Sequence, residues 1–479
     1  MTATAAIFFT LFPCTFFFQC TPAPAITSQH ASGYRHQPQP TSGTSASQKA
    51  NGRSTEVLLA QNSEDRREND VWNVEGRPQA DEQGPGKRFY LDGAGFHIPS
   101  TNARIVLRQN ASGARVYSSS PVELRNGGTR GSVSFSGGAT IARGDAPGRV
   151  FLQADDRTRM GVVVPCTLFA RSEACIVTIE DVSYHGSIII APEPGGLFTL
   201  VNYVDVEDYL RGVVPLEVGK GGGDVDEAVK AQAVAARTYT FRKMQDNAHG
   251  QFDLSATVSD QVYGGVGAES DACSKAIRAT EGEVLLYHDS LIYAYYHSTC
   301  GGRTASIEDV WNKPSLGYLR SVDDENGLSG AYCAYSGSFT WEEQWPLDRF
   351  TYIVNRFSRE TFPQNPCTGD VRSLTLDSRF SCGRIKQCTV HTSSGAFSYG
   401  GDKIRFVFRR NQTGFPILKS CIITDVSVLD GRVVMKGRGY GHGVGLCQTG
   451  ALGRAKNGKK YDEILHAYYT DVVIRKVIR

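Results

Sequence analysis

Short apolar runs separated by turn-forming residues dominate the chain from Phe89 to about Tyr203. Three of them are Ile105-Val106-Leu107, Gly161 to Val164 and Ser187 to Ile190, with Gly, Pro, Asn or Asp between the runs. Runs of this length without a helical period are typical of strands joined by turns. The pattern therefore predicts a β-rich N-terminal region over residues 88–183.

A helical pattern first appears after Asp205. Asp205 is suited to the N-cap of a short helix, which Gly212 and Pro215 are expected to end. A longer, alanine-rich helix is predicted to begin at an N-cap on Asp224, with Glu227 at its third position. The apolar residues of that helix recur mostly at spacings of three and four, as one buried face requires.

The C-terminal half alternates between strand and helix patterns. Residues 283–297 predict a hairpin that turns at His288-Asp289-Ser290. The remaining expected elements are strands and loops over 330–436, helices over about 446–456 and 461–469, and a final strand over 472–477. Together these elements predict an α+β fold that is β-rich with a few helices.

The first 25 residues have the pattern of a secretory signal peptide. A mostly apolar run from Ala5 to Phe12 ends at Pro13, and Ala23-Pro24-Ala25 offers a small-x-small cleavage pattern. The alternative is a poorly chosen start codon, since Met1 is followed by no Lys or Arg. We therefore expect an exported protein that is periplasmic or associated with the cell envelope.

Residues 26–87 are rich in Ser, Thr, Gln, Asn, Pro, Gly and charged residues, and Tyr34 and Trp72 are their only aromatics. Such a segment cannot bury enough apolar surface to offset its ordering entropy, so a disordered polar spacer or tail is predicted. Beyond the leader, no run approaches the roughly 20 apolar residues that a membrane-spanning helix needs.

Composition narrows the function classes. Lys and Arg number 51 against 49 Asp and Glu, for a net charge of +2, so no nucleic-acid or anionic-membrane partner is indicated. Ten of the 12 cysteines lie beyond the predicted leader, and an even number in an exported chain favours disulfides. No Cys-x-x-Cys pair occurs, which argues against a zinc ribbon.

Glu217 is the first candidate for chemistry. It lies between the apolar stretch Val213 to Leu216 and the glycine-rich stretch Gly219 to Gly223. A carboxyl group in apolar surroundings has a raised pKa, which a general acid at neutral pH requires. On spacing alone, an ordinary surface glutamate in a loop is the more common interpretation.

Two further segments combine reactive residue types with glycine. His297-Ser298-Thr299-Cys300-Gly301-Gly302 suits a nucleophile, a metal ligand or a tight turn, and we favour a turn whose Cys300 is in a disulfide. A hydrolase built on Cys300 and His297 lacks an orienting group in register. Gly437 to Gly445 alternates glycines around Tyr440 and His442, but no register gives Gly-x-Gly-x-x-Gly, so a dinucleotide site is not expected.

These segments together resemble the stage II sporulation protein D family, also called the SpoIID/LytB domain, from about Tyr184 to Val477. The matching motifs are Tyr209 to Glu217, Glu227 to Tyr239, Asp260 to Gly265, Thr280 to Gly282, His297 to Gly302 with Glu308 to Trp311, and Gly437 to Ala451. The resemblance implies that residues 184–479 form a SpoIID-type catalytic domain with a glycan-binding groove.

Enzymatic members of that family are lytic transglycosylases that act on denuded glycan strands of peptidoglycan. The resemblance implies that Glu217, in the family's Pro-x-Glu position, is the catalytic acid/base. It would protonate the glycosidic oxygen between MurNAc and GlcNAc and then deprotonate the 6-hydroxyl, giving a 1,6-anhydroMurNAc end without consuming water. The rival function, also found in the family, is a non-catalytic enhancer of N-acetylmuramoyl-L-alanine amidase that binds glycan or the amidase.

The resemblance also implies a set of groove-lining residues. They are Arg237, Asp260, Gln261, Tyr263, His297, Ser298, Tyr440, His442 and Gln448. Within this set, Arg237 would pair with the lactyl carboxylate of muramic acid, Asp260 would help an oxocarbenium-like transition state, and the two tyrosines would stack on sugars.

The expected partners are glycan strands and, in the rival function, a cell-wall amidase. No cofactor is required by this chemistry. Some relatives hold zinc with His and Cys near the His-Ser-x-x-Gly-Gly segment, but Arg303, Ile307 and Asp309 offer no further thiol here. A disulfide of Cys300, with Cys333 as a candidate partner, is therefore expected at least as much as zinc. Tyr440 and Cys447 also depart from the Trp and the Ser or Met that relatives often carry.

Overall fold

A computed structural model of the chain describes residues 89–91, 96–126, 129–170, 176–327 and 330–478. The predicted leader over residues 1–25 and the predicted spacer over residues 26–87 lie outside the described residues. The described residues from Phe89 onward belong to one compact unit. Strand and helix are both well represented in it, and the predicted α+β, β-rich class is confirmed.

A large sheet forms the N-terminal part of the described chain. Two short strands, β1 (Tyr90–Leu91) and β2 (Phe96–His97), precede this sheet in the chain and do not belong to it. The strands of the large sheet are β3 (Asn102–Ala111), β4 (Gly113–Asn126), β5 (Thr129–Arg143), β6 (Arg149–Ala154), β7 (Arg159–Val163), β8 (Cys166–Ala170), β9 (Val177–Ile179), β10 (Val182–Tyr184), β11 (Ser187–Pro192), β12 (Phe198–Asp205) and β13 (Leu254–Ser255). The order is β13-β3-β12-β11-β8-β4-β5-β6-β7, with β9 on β4 and β10 on β9.

That sheet is antiparallel except where β13 runs parallel to β3. Strands from both sides of the predicted boundary at residues 183 and 184 pair within it, since β11 joins β8 on one side and β12 on the other. The inward faces of its strands contribute Ile105, Leu168 and Ile190 to the main hydrophobic core. Successive strand residues point to opposite faces, which explains why the apolar positions alternate here.

Two helices follow β12 in the chain, and the first of them carries Glu217. α1 (Val206–Val218) begins at Asp205, whose side chain accepts a hydrogen bond from Glu207 N, as an N-cap should. The helix continues through Pro215 to Val218, so the prediction that Pro215 would end it was wrong. Val213 and Val214 on α1 are fully buried, and this packing outweighs the one backbone hydrogen bond that proline removes.

α2 (Asp226–Asp246) is the longest helix among the described residues and is buried over most of its length. It begins two residues after the predicted cap at Asp224, because residues Gly223–Val225 form a 3-10 turn first. Glu227 accepts a hydrogen bond from Tyr461 N instead of closing a capping box. The small alanine side chains let neighbouring elements approach α2 closely on several sides.

The remaining elements of the main core surround α2. They are α3 (Asp271–Ala279), β14 (Glu283–Tyr287), β15 (Ser290–Leu291), β16 (Tyr296–His297) and α4 (Ile307–Trp311). The predicted hairpin is confirmed: β14 pairs with β15, and His288 and Asp289 turn with positive φ angles of 46° and 60°.

A second hydrophobic core is built from the chain between residues 340 and 438. Its elements are β17 (Thr340–Pro346), α5 (Leu347–Thr361), β18 (Val371–Arg379), β19 (Ile385–Thr392), β20 (Gly395–Gly400), α6 (Ile404–Val407), β21 (Ile422–Leu429) and β22 (Arg432–Arg438). The strands form two three-stranded sheets, β17-β22-β21 and β18-β19-β20. Trp345, Phe350 and Phe408 fill the space between them and α5.

The chain then returns to the main core through the glycine-rich segment. The last elements are β23 (Leu446–Cys447), α7 (Gln448–Lys456), α8 (Tyr461–Tyr468) and β24 (Val473–Ile478), which confirms the two helices and the strand predicted there. β23 pairs in parallel with β16, and β24 pairs with β14 and β2. Within the described part of the chain, no helix is both long and apolar enough to cross a membrane.

Candidate active site

Glu217 is half-buried in the last turn of α1, where its carboxyl group meets two segments that are distant in sequence. The backbone N–H of Val262 donates to Oε1 at 3.2 Å, and Gln448 Nε2 donates to Oε2 at 3.0 Å. The hydroxyl of Tyr296 also faces this carboxyl but makes no hydrogen bond of good geometry to any described residue. The carboxyl is thus fixed in orientation by neutral donors.

The surroundings of Glu217 favour its protonated form. Burial raises the pKa of the carboxyl above its ordinary value, and the hydrogen bonds from Gln448 and Val262 N–H, together with the nearby Tyr296 hydroxyl, lower it only in part. Burial dominates because the charged form loses water that these neutral groups do not fully replace. No cationic side chain contributes to this balance. A carboxyl group in such surroundings is suited to act as a general acid.

The pairing of β16 with β23 explains how Gln448 and Tyr296 reach Glu217. Tyr296 lies opposite Leu446 and His297 opposite Cys447, and Gln448 follows directly as the first residue of α7. Successive strand residues point to opposite faces. Tyr296 therefore faces Glu217, whereas His297 points towards the glycine-rich segment.

The two histidines of the motifs lie together and are held neutral. Their ring centroids are 5.5 Å apart, and His442 also packs on Trp311. His297 Nδ1 donates to the carbonyl of Val444, and His442 Nδ1 accepts from Val444 N. Burial lowers the pKa of His442 to about 4 and that of His297 well below its ordinary value. Neither imidazole is therefore in its cationic form at neutral pH, although each keeps the single N–H of a neutral ring.

Arg237 does not lie with this group. It is fully buried, and its guanidinium makes two 2.7 Å hydrogen bonds to Glu207, with further bonds to the carbonyls of Glu283 and Ile277. The expectation that Arg237 would pair with a muramic acid carboxylate is wrong, because the N–H donors of its guanidinium already bond to groups inside the core.

The motif from Asp260 to Gly265 contributes its backbone to the site, through Val262 N, and not the expected side chains. Gln261 is fully buried against α2, and the Tyr263 hydroxyl donates to Asn202 while its ring packs on Tyr209. A buried ring cannot stack on a sugar, so this role for Tyr263 is wrong. Asp260 accepts hydrogen bonds from Tyr239, Lys243 and Ser255 N, which occupy both of its oxygens.

Ser298 and Tyr440 remain accessible beside the catalytic candidate. Ser298 is half-buried, and its carbonyl accepts hydrogen bonds from Thr449, the residue after Gln448. Tyr440 is 41% exposed, and its backbone pairs with Thr299. The exposed ring of Tyr440 is therefore the aromatic surface of the predicted set that a sugar could contact.

A cavity near α1 lies at the opposite end of the helix from Glu217. It is lined by Asp205, Val206 and Glu207, together with Lys476 and Val477 of β24. Glu217 is ten residues further along α1, or about 15 Å at the rise of an α-helix.

Comparison with known proteins agrees with the motifs. Residues 195–287 match the family model described as "Stage II sporulation protein" (SpoIID), a span that contains Glu217 and Val262. The chain therefore contains a SpoIID-like domain over these residues. Residues 329–445 match a second model, "Domain of unknown function (DUF8618)", and coincide with the second hydrophobic core.

Three curated relatives extend the similarity beyond the SpoIID match. An uncharacterized protein of Brachyspira hyodysenteriae is 29% identical over 300 residues, 62% of this chain and 73% of that protein. The stage II sporulation protein D of Bacillus subtilis is 28% identical over 289 residues, 56% of this chain and 74% of that protein. The amidase enhancer of Bacillus subtilis is 29% identical over 286 residues, which span 54% of this chain but 39% of that relative.

Among the described residues, those that follow the His297 to Gly302 segment have other partners. Arg303 pairs with Asp323, and Asp309 faces Cys382. The nine described cysteines are all free and buried, so the predicted disulfides, including one between Cys300 and Cys333, are not formed. The Sγ atoms of Cys300 and Cys333 are nevertheless 3.4 Å apart.

Sequence reasoning missed two contributors to the site. One is Tyr296, whose position directly before His297 in a strand implies that the two side chains face opposite ways. The other is the backbone N–H of Val262, for which the sequence carries no signal, because a backbone donor places no demand on residue type.

Proposed function

We propose that this protein is a lytic transglycosylase that cleaves the MurNAc–GlcNAc linkage in denuded peptidoglycan strands and leaves 1,6-anhydroMurNAc ends. The observation that supports it most is the half-buried carboxyl of Glu217, with a raised pKa and neutral donors on both oxygens. Similarity to the SpoIID family supports a role at the cell wall. We accordingly propose that it acts in the cell envelope after export.

In the first step, protonated Glu217 donates its proton to the glycosidic oxygen. The bond between that oxygen and C1 of MurNAc breaks, and the GlcNAc residue leaves with a new hydroxyl group. Positive charge develops at C1 and its ring oxygen as the carboxylate forms. The hydrogen bonds from Gln448 and Val262 N–H strengthen as the carboxyl gains charge, so they lower the barrier to proton donation.

In the second step, the Glu217 carboxylate removes the proton from the 6-hydroxyl of the same MurNAc residue. The oxygen at position 6 then bonds to C1 and closes the 1,6-anhydro ring, and Glu217 is protonated again. No water enters, so a second carboxylate to activate water is not needed. One carboxyl group that alternates between acid and base is sufficient for the whole cycle.

Two tyrosines suit the surroundings of this reaction. The Tyr296 hydroxyl lacks a partner among the described residues and faces Glu217, so it is available to the forming carboxylate or to a sugar hydroxyl. The exposed Tyr440 ring offers a face for a pyranose in the adjoining subsite. We propose that both contact the glycan strand.

A second candidate function is the enhancement of a cell-wall amidase without cleavage of glycan. The relative named amidase enhancer favours it, although the similarity covers 39% of that protein. In that case the same surface would bind glycan, and the amidase would be the partner.

Digestion of denuded glycan strands separates the two functions. We expect the purified protein to release fragments with 1,6-anhydroMurNAc ends, detected by mass spectrometry, and the Glu217→Gln variant to release none while still binding glycan. If wild-type protein binds the strands and cleaves none, but accelerates a purified amidase, the transglycosylase proposal fails and the enhancer function stands.

A further inference from the structure

Three thiols and one carboxyl group converge behind the candidate active site. The side chains of Cys300, Asp324, Cys333 and Cys447 offer ligand atoms that all lie within 4.8 Å of one another, and all four residues are fully buried. We propose that these four residues bind one zinc ion as a structural Cys₃Asp site. The proposal is independent of whether Glu217 cleaves glycan.

The spacing of the four ligand atoms fits tetrahedral coordination. With metal–sulfur bonds of about 2.3 Å, two thiolates of a tetrahedral zinc site lie about 3.8 Å apart. Cys300 Sγ is 3.4 Å from Cys333 Sγ and 3.4 Å from Asp324 Oδ2. All four ligand atoms lie within 4.8 Å of one another, so small adjustments of the side chains would bring them to bonding distance of one ion. A soft, thiolate-rich set of this kind selects zinc over magnesium or calcium.

Asp324 is oriented towards the thiols by its other oxygen. Tyr468 donates to Oδ1 at 2.7 Å, and Arg454 contacts the same atom at 3.3 Å. Oδ2 is then left to face Cys300. Metal-ligating carboxylates are held by outer partners of this type, which fix the orientation of the carboxylate and leave its second oxygen for the ion.

Two backbone donors point at the sulfur of Cys447. The backbone N–H groups of Cys300 and Gly450 point at it from 3.1 and 3.2 Å, and the latter belongs to the first turn of α7. Gly450 is required next to the site, because any side chain there would overlap Asp324 and Tyr468. These contacts stabilise a thiolate, which is the form that binds metal.

The ion would join three separate segments. Cys300 follows β16, Asp324 and Cys333 belong to the loop before β17, and Cys447 ends β23 directly before Gln448. Zinc would therefore help to hold Gln448 against Glu217 without taking part in the reaction. The alternative, a disulfide between Cys300 and Cys333, would leave the third thiol and the oriented Asp324 without a role.

Metal analysis of the full-length protein tests the proposal. We expect protein isolated from zinc-supplemented cells to contain about one zinc ion per chain, and the Cys333→Ser variant to contain far less. The matched control is Cys388→Ser, which changes a buried thiol of β19 in the second core and should keep its zinc. Zinc retained in Cys333→Ser but lost in Cys388→Ser would overturn the assignment.

Cobalt provides a readout that does not depend on whether a variant folds. Replacement of zinc by Co²⁺ in the wild-type protein should give the intense visible bands of tetrahedral cobalt and a thiolate-to-cobalt charge-transfer band. Reduced wild-type protein that binds neither zinc nor cobalt would contradict the site. A Cys300–Cys333 disulfide found by mass spectrometry in protein isolated with zinc would overturn it as well.

Discussion

Two opposing effects set the protonation state of Glu217. Burial favours the neutral acid, and the hydrogen bonds from Gln448 and Val262 N–H favour the carboxylate. Because burial is the larger effect, the pKa remains raised, and a proton is available at a pH where an exposed glutamate has lost it. The donors matter most once that proton has been transferred.

Gln448→Ala removes one of these donors. The charged form of Glu217 is then less stable, so its pKa rises further and the loss of activity at high pH should move to higher pH. The maximal rate should fall about tenfold, as expected for a lost hydrogen bond to a charged group. The measurement is a pH–rate profile of glycan cleavage. The control is Gln344→Ala, on the exposed surface of β17. If the loss of activity at high pH occurs at the same pH in Gln448→Ala as in the wild-type protein, the account is contradicted.

The sequence could identify Glu217 but not most of its neighbours. The Pro-x-Glu position and the apolar residues before it were visible, whereas Gln448 is 231 residues further along and meets Glu217 only through strand pairing. Arg237 and Tyr263 belong to the same family motifs yet serve the core. A family motif can contain a residue because the fold needs it for packing or because the chemistry needs it, and the motif alone does not distinguish the two.

At the scale of elements, local signals located the helices and tertiary packing decided their ends. Asp205 capped α1 as predicted, but Pro215 did not end the helix because its neighbours are buried. The helix α2 starts one residue later than a cap at Asp224 implies, after a 3-10 turn, and Glu227 accepts a hydrogen bond from a tertiary partner, Tyr461, instead of closing a capping box. Such partners lie far away in sequence, so propensity and capping rules alone could not place these boundaries.

The glycine-rich segment before β23 depends on close packing as well as on backbone freedom. Gly443 has a φ of +89°, and a Cβ at this position would overlap the guanidinium of Arg384. Arg384 is almost fully buried and bonded to the carbonyls of Arg303 and Cys300, so it cannot move aside without loss. The segment is therefore fixed against the turn that follows β16.

Gly443→Ala should lower the free energy of unfolding by two separate amounts. The positive φ costs about 1–2 kcal/mol for a residue with a Cβ, and overlap with Arg384 adds about 1–3 kcal/mol. Gly414→Ala is the control, since its φ is +79° and no atom lies within 4 Å of the added Cβ. Urea denaturation measures both variants. Equal destabilisation of the two would show that Arg384 does not confine Gly443.

At the scale of the whole molecule, the described residues contain two hydrophobic cores. The main core joins the large sheet to α1 and α2, and the second core comprises the elements from β17 to β22. The sequence analysis predicted strands and loops in the second part and missed helix α5, although the buried residues Phe350, Ile353, Val354 and Phe357 recur at helical spacing. The α+β class was predictable from pattern, whereas this division was not.

Ile353→Ala should loosen the second core alone. Ile353 is fully buried in α5, and its truncation should cost about 2–5 kcal/mol. Because the cores are separate clusters, hydrogen exchange measured by mass spectrometry should rise in residues 341–435 and stay unchanged in α2. Ile190→Ala, at a fully buried position of the main core, should raise hydrogen exchange in α2 and leave it unchanged in residues 341–435. Equal loss of protection in both regions from Ile353→Ala would mean that the cores unfold as one.

The central claim is that Glu217 cleaves glycan without water. Its most direct test is mass spectrometry of the fragments formed from denuded strands in heavy-oxygen water. Wild-type protein should give anhydro ends that contain no heavy oxygen, and Glu217→Gln should give no fragments. Heavy oxygen incorporated at the new ends, or equal cleavage by Glu217→Gln, would contradict the account.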